Sequence, residues 1–91
     1  MSEIEVIGCF SAFLTTISFL PQTIKTLLKK ETKGISALMY IAFTIGIIGW
    51  ITYGILVKDR IIISANIVTL VFSVIILAIK LRNVWLKKED F

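Results

Sequence analysis

Ninety-one residues make a single small domain, of which 57% is hydrophobic and only 18% charged, with a net charge of +4. A chain this short buries the smallest share of its surface on folding, so one aqueous core does not hide that much apolar area. A mean hydropathy of +0.95, no His and a lone Cys9 exclude a soluble enzyme, an intrachain disulfide scaffold and a Cys/His zinc site.

The few charges are segregated. Nineteen uncharged residues separate Glu5 from Lys25, 24 separate Lys33 from Lys58, and 19 separate Arg60 from Lys80. At about 1.5 Å per residue, about 19 residues make roughly 29 Å of helix, which matches a hydrocarbon core of about 30 Å. The pattern predicts an all-α membrane protein: one domain, 1–91, with helices over about 4–28, 35–57 and 60–82. The surplus Lys and Arg flank the apolar runs, as membrane anchors do. The expected surroundings are a lipid bilayer, with no nucleic-acid partner and no cofactor.

The first run follows Glu3 and Glu5 with no cation, so it lacks the basic leader of a secretory signal peptide. Within it Ser11, Thr15, Ser18 and Gln22 recur at spacings of 4, 3 and 4, a single helical face. Pro21 removes the hydrogen bond to the Ile17 carbonyl, which predicts a kink. Prolines occur in membrane helices generally, and also where carriers break a helix near a site. The loop KKETKGIS sets Gly34 ahead of Ser36, an N-cap for the second helix.

That second helix places Met39, Phe43, Gly46, Trp50 and Tyr53 along one face. Ala42, Gly46 and Gly49 add a small-residue strip, which admits a close neighbour. The loop VKDR is so short that helices two and three form an antiparallel hairpin. The third helix carries Asn66, Thr69 and Ser73 on one face. In lipid, such faces serve either as interhelical hydrogen bonds, each about 0.6–2 kcal/mol, or as a shared polar path. No Asp, Glu, His, Lys or Arg is expected inside a span, so proton coupling has no evident carrier.

Three spans put the N-terminal segment and the second loop on one side with two cations, against eight on the other. The positive-inside rule then predicts the N-terminus outside, the C-terminus in the cytoplasm, and a parallel arrangement of any homo-oligomer. Three helices of about 10–12 Å diameter leave no sugar-sized passage between them. A solute path therefore requires a second copy, giving a homodimer of six helices. Trp50 lies seven residues before Val57, and Asn66 six residues into the helix that returns from the same side. An indole face and a carboxamide at similar depth suit a neutral polyhydroxylated ligand. Interhelical hydrogen bonding is the other use for Asn66.

The run Phe19-Leu20-Pro21-Gln22-Thr23-Ile24-Lys25-Thr26, followed by Lys33-Gly34-Ile35-Ser36, resembles the PQ-loop signature. With Trp50, Tyr53-Gly54 and Ala65-Asn66-Ile67-Val68-Thr69-Leu70, residues 6–82 resemble the bacterial SemiSWEET sugar transporters. The resemblance implies a homodimer of three-helix bundles in the bacterial inner membrane, without enzymatic activity. It implies passive, alternating-access movement of a sugar of the glucose or sucrose class. Trp50 and Asn66 are implied as sugar-binding residues, and Tyr53 and Asp59 as an extracellular gate. Phe19, Pro21, Gln22 and Met39 are implied as the intracellular gate and hinge. Where some relatives carry an outer-gate arginine, this chain has Val57. Two other classes fit the residues: a PQ-loop carrier of another small polar solute such as an amino acid, and a small accessory subunit whose polar faces only pack.

Overall fold

The computed structural model describes residues 2–91. Met1, which the single-domain span includes, lies outside the described residues. The chain forms α1 (Glu3–Ser18), α2 (Leu20–Lys29), α3 (Ala37–Val57) and α4 (Arg60–Trp85). Ser2 and Glu5 start α1 with reciprocal bonds: the Glu5 amide donates to Ser2 Oγ at 3.1 Å and the Ser2 amide to Glu5 Oε1 at 3.3 Å. Two donors left over at a helix start are thereby satisfied.

The sequence predicts one kinked helix through Pro21, and the structure breaks it into two. Pro21 has no N–H to offer, and the Phe19 amide turns instead to Thr16 O at 3.1 Å. Helical bonding resumes when both the amide and the hydroxyl of Thr23 donate to Phe19 O, each at 2.9 Å. α1 and α2 together still run 27 residues, Glu3–Lys29, and with α3 and α4 they make three helices long and apolar enough to cross a membrane.

Caps fix the remaining boundaries. Ser36 Oγ accepts from the Met39 amide at 3.2 Å to open α3, and Asp59 Oδ1 accepts from Ile61 and Ile62 at 3.0 and 3.2 Å to open α4. Lys30 and Lys58 close α2 and α3 in the left-handed conformation, at φ 54° and 58°. Only Lys58 and Asp59 therefore separate α3 from α4.

α4 lies between α3 on one side and α1–α2 on the other. The assembly measures 50 × 24 × 14 Å, so it is a sheet of helices one helix thick. The seam between α3 and α4 carries Tyr40, Ile47 and Ile76. It is drawn tight at Gly54, where a Cβ would meet Ile62 Cγ2 and Ile63 Cγ1 at 3.0 Å. Thr44 and Ser73 share a hydroxyl–hydroxyl bond of 2.6 Å across it. The outward faces are almost wholly apolar, with Ile4, Leu28, Leu38 and Leu56 among the most exposed side chains.

α4 runs three residues beyond the expected 82, to Trp85, and Lys80 lies in its last turns. Its side chain is 1% exposed and paired with Glu89 at 3.0 Å. The burial is possible because Glu89 returns from beyond the helix to neutralise the ammonium, an arrangement that spacing along the chain does not disclose.

Candidate functional site

Pro21 interrupts the first span close to where α3 and α4 each present a polar or aromatic face. A cavity of about 350 Å³ opens there. α3 supplies Phe43, Gly46, Ile47 and Trp50, the i, i+3, i+4, i+7 positions of one helical face. α4 supplies Asn66 and Thr69, α1 supplies Thr15, and Phe19 enters from the α1–α2 junction.

The polar groups are held by their own helices. Asn66 Nδ2 donates to Ile62 O at 2.8 Å and Thr69 Oγ1 to Ala65 O at 2.9 Å. Thr15 Oγ1 donates to Ser11 O and Ala12 O, both at 3.1 Å. These bonds fix the rotamers while leaving the Asn66 carboxamide oxygen and the hydroxyl lone pairs as acceptors for a ligand. Trp50 stands 56% exposed, its ring edge-on to Tyr53 with centroids 5.6 Å apart. Phe19 stacks on Phe43 at 5.7 Å. The cavity therefore combines flat apolar surface with a few neutral hydrogen-bonding groups. It has no ionisable side chain, nucleophile or acid–base pair, and among the described residues no group of metal-ligating side chains occurs.

The other sequence-derived candidates lie elsewhere. Tyr53 packs edge-on against Trp50 and is not among the residues that line the cavity. Asp59 lines a separate cleft of about 590 Å³ at the opposite end of α1, beside Glu5, Val57 and Lys58, with one carboxylate oxygen engaged as the α4 cap. Gln22 lines a cleft of about 310 Å³ with Lys25, Lys29 and Lys33, and its Nε2 donates to Thr26 Oγ1 at 3.2 Å. Pro21 stands exposed at the break. Met39 is exposed on α3, one turn before Phe43. Ser11 and Ser18 share the helical face of Thr15 but not its cavity, and Ser18 Oγ is committed to Leu14 O at 2.7 Å. Periodicity already puts Phe43 on the face of Trp50, but the approach of Thr15 and Phe19 to that face is set by the packing of the first span, which periodicity alone does not give.

Fold and cavity define a class: a three-span membrane protein whose neutral, aromatic-lined site opens from the side of a helical layer. Residues 2–81 match the family described as sugar efflux transporter for intercellular exchange. The chain belongs to this MtN3/slv family, a family of transporters and not of enzymes. It is 48% identical over 83 residues to the sugar transporter SemiSWEET of Escherichia coli, covering 91% of this chain and 93% of that one. It is 53% identical over 79 residues to the SemiSWEET of Leptospira biflexa, covering 87% and 93%. A crystal structure of SemiSWEET in the inward-open conformation superposes with a TM-score of 0.89 at 47% identity, over 96% of this chain and 94% of that one. A crystal structure of a bacterial homologue of SWEET transporters gives 0.81 at 32% identity, over 89% and 98%.

Proposed function

We propose that this chain is a passive sugar carrier of the inner membrane, a uniporter that works by alternating access as a parallel homodimer. The observation that carries the reading is the cavity itself: Trp50 and Asn66 face one space from different helices, with no charged side chain beside them. A sugar offers C–H faces for an indole and hydroxyls for a carboxamide, and needs no counter-ion. A proton-coupled carrier needs a titratable group in its path, and this lining has none.

The thickness of the layer supports the dimer. A layer 14 Å deep leaves the cavity walled on one side, and a second copy facing it across a two-fold axis supplies the other wall. Parallel repeats about an axis along the membrane normal are an established transporter plan. In this reading the N-terminus is outside, with Tyr53 and Asp59 closing the outer end. Phe19 and Met39 close the cytoplasmic end, as α2 swings about Pro21 and Gln22.

The test is uptake of radiolabelled glucose and sucrose into proteoliposomes, with and without a pH gradient, for wild type, Trp50→Ala and Asn66→Ala. Uptake of either sugar that follows its gradient, ignores pH and is lost in both variants is the expected result. Acceleration by a pH gradient overturns the uniporter. No uptake of either sugar by an intact dimer overturns the sugar assignment, leaving a carrier of another solute or an accessory subunit.

A further inference from the structure

The Lys80–Glu89 pair belongs to a polar cluster far from the cavity. An ammonium 1% exposed is tolerated only when paired and fully hydrogen-bonded, and here it donates to Glu89 Oε1 at 3.0 Å and Thr32 O at 3.1 Å. Glu89 also accepts from the Thr32 hydroxyl at 2.6 Å, the Thr32 amide at 3.0 Å and Asn83 Nδ2 at 3.0 Å. Asn83 Nδ2 reaches Lys30 O at 2.9 Å and Thr32 Oγ1 at 3.0 Å as well. No buried side-chain nitrogen or oxygen among the described residues lacks a partner.

What these bonds join matters more than their number. Lys30 caps α2 and Thr32 follows it in the first loop, while Lys80 and Asn83 are in the last turns of α4. Glu89 is on a tail turned back by Lys87, which sits at φ 60°. The same tail reaches α3, where the Ala37 amide donates to Phe91 O at 2.8 Å. The far end of α2 is thus tied to α4 and, through the tail, to α3. Its near end joins α1 through Phe19 and Pro21, where a helical hydrogen bond is missing.

We infer that Lys80 and Glu89 are positioning residues: they clasp α2, the first loop and the end of α4 into one mechanical unit, so that bending during transport is confined to the Phe19–Pro21 junction. Without the clasp, motion of α4 dissipates in a loose loop instead of swinging α2. The inference deepens the carrier reading and rests on it. Neither residue touches the cavity, so their loss slows turnover and leaves sugar affinity in place.

The experiment uses the full chain in lipid. Hydrogen exchange of the 30–37 segment is followed in nanodiscs, and KM and turnover for glucose and sucrose are measured in proteoliposomes, for wild type, Glu89→Gln and Thr32→Val. Glu89→Gln is expected to raise exchange at least tenfold and to cut turnover at least fivefold, with KM within twofold of wild type. Thr32→Val, which removes one hydroxyl and no charge, is expected to raise exchange about threefold and decides the matter if Glu89→Gln fails to assemble. Unchanged exchange in the assembling variants overturns the clasp. Faster exchange with unchanged turnover, or a KM that rises in step with lost turnover, overturns its positioning role. A wild type that moves neither sugar overturns the sugar assignment instead, and exchange alone then decides whether the clasp exists.

Discussion

The ring of Phe19 stacks on that of Phe43, with centroids 5.7 Å apart and planes 24° from parallel. Phe19 is the residue at which the first span breaks, and Phe43 is part of the cavity wall, so the stack couples the break to the site. Aromatic pairs of this geometry contribute about 0.5–1.5 kcal/mol beyond their buried area. A double-mutant cycle of Phe19→Leu and Phe43→Leu, read by unfolding in mixed micelles, should return a coupling of about 1 kcal/mol. A coupling near zero would mean the rings touch without holding the junction.

Asn66 should matter to ligand rather than to assembly. Among the described residues its side chain bonds only to its own helix, Nδ2 to Ile62 O at 2.8 Å, so Asn66→Ala breaks no interhelical bond among them. Loss of two neutral hydrogen bonds of about 0.5–1.5 kcal/mol each corresponds to sugar binding weakened about fivefold to 150-fold. Calorimetry on a variant of unchanged oligomeric state checks this. An Asn66→Ala protein that binds sugar normally but falls apart would make Asn66 a packing residue.

The three spans were legible because charge-free runs of membrane length have few alternative uses. Ser36 was legible as a boundary because a cap needs only the next three residues, whereas the Asp59 cap emerges only in the structure. Trp50 and Asn66 could be paired because a two-residue turn fixes the register of α3 against α4. The junction was half legible: Pro21 announces a disturbance, but whether the helix bends or breaks depends on the Phe19 amide finding Thr16. The Lys80 cluster was not legible at all. Its partners are separated by 48 and 57 residues from Thr32, and Glu89, following Lys87 and Lys88, reads as one more charge in a solvated tail.

Two glycines of α3 should respond in opposite ways. At Gly54 a Cβ would sit 3.0 Å from Ile62 Cγ2 and Ile63 Cγ1, so Gly54→Ala forces branched side chains aside and should cost about 1–3 kcal/mol. Gly49 has nothing within 4 Å and faces about half a turn away from Ile47 on the α4 seam. Gly49→Leu should therefore leave the single chain folded. If the second copy covers this strip, the same change converts dimer to monomer in light scattering, while Gly54→Ala lowers stability of both forms. A Gly49→Leu protein that remains dimeric places the dimer contact on another face.

Lys58 ends α3 at φ 58°, a conformation costing an L-residue about 1–2 kcal/mol and glycine almost nothing. The side chain is exposed, so replacing it removes strain without opening a core. Lys58→Gly should stabilise the chain by about 0.5–1 kcal/mol, the gain being reduced by the greater freedom of glycine in the unfolded state. Thermal unfolding in detergent measures it. A lower midpoint would show that the Lys58 charge contributes more at this turn than its backbone strain costs.

Acid should open the Lys80–Glu89 cluster only at the extreme. Burial by itself raises the Glu89 pKa, but hydrogen bonds from the Thr32 hydroxyl and amide and the adjacent Lys80 ammonium outweigh it, lowering the value from an ordinary 4.5 to about 2. A carboxyl whose folded pKa is depressed stabilises the fold fully above its unfolded pKa, and loses that contribution as pH falls toward the folded one. Exchange of the 30–37 segment, corrected for intrinsic rates, should therefore be flat from pH 8 to 5. Protection should decline between about pH 4.5 and 2, and this decline should be absent in Glu89→Gln. A wild-type decline already centred near pH 6 would show that Glu89 carries no such depressed pKa, and that the ammonium of Lys80 is not its partner in the membrane.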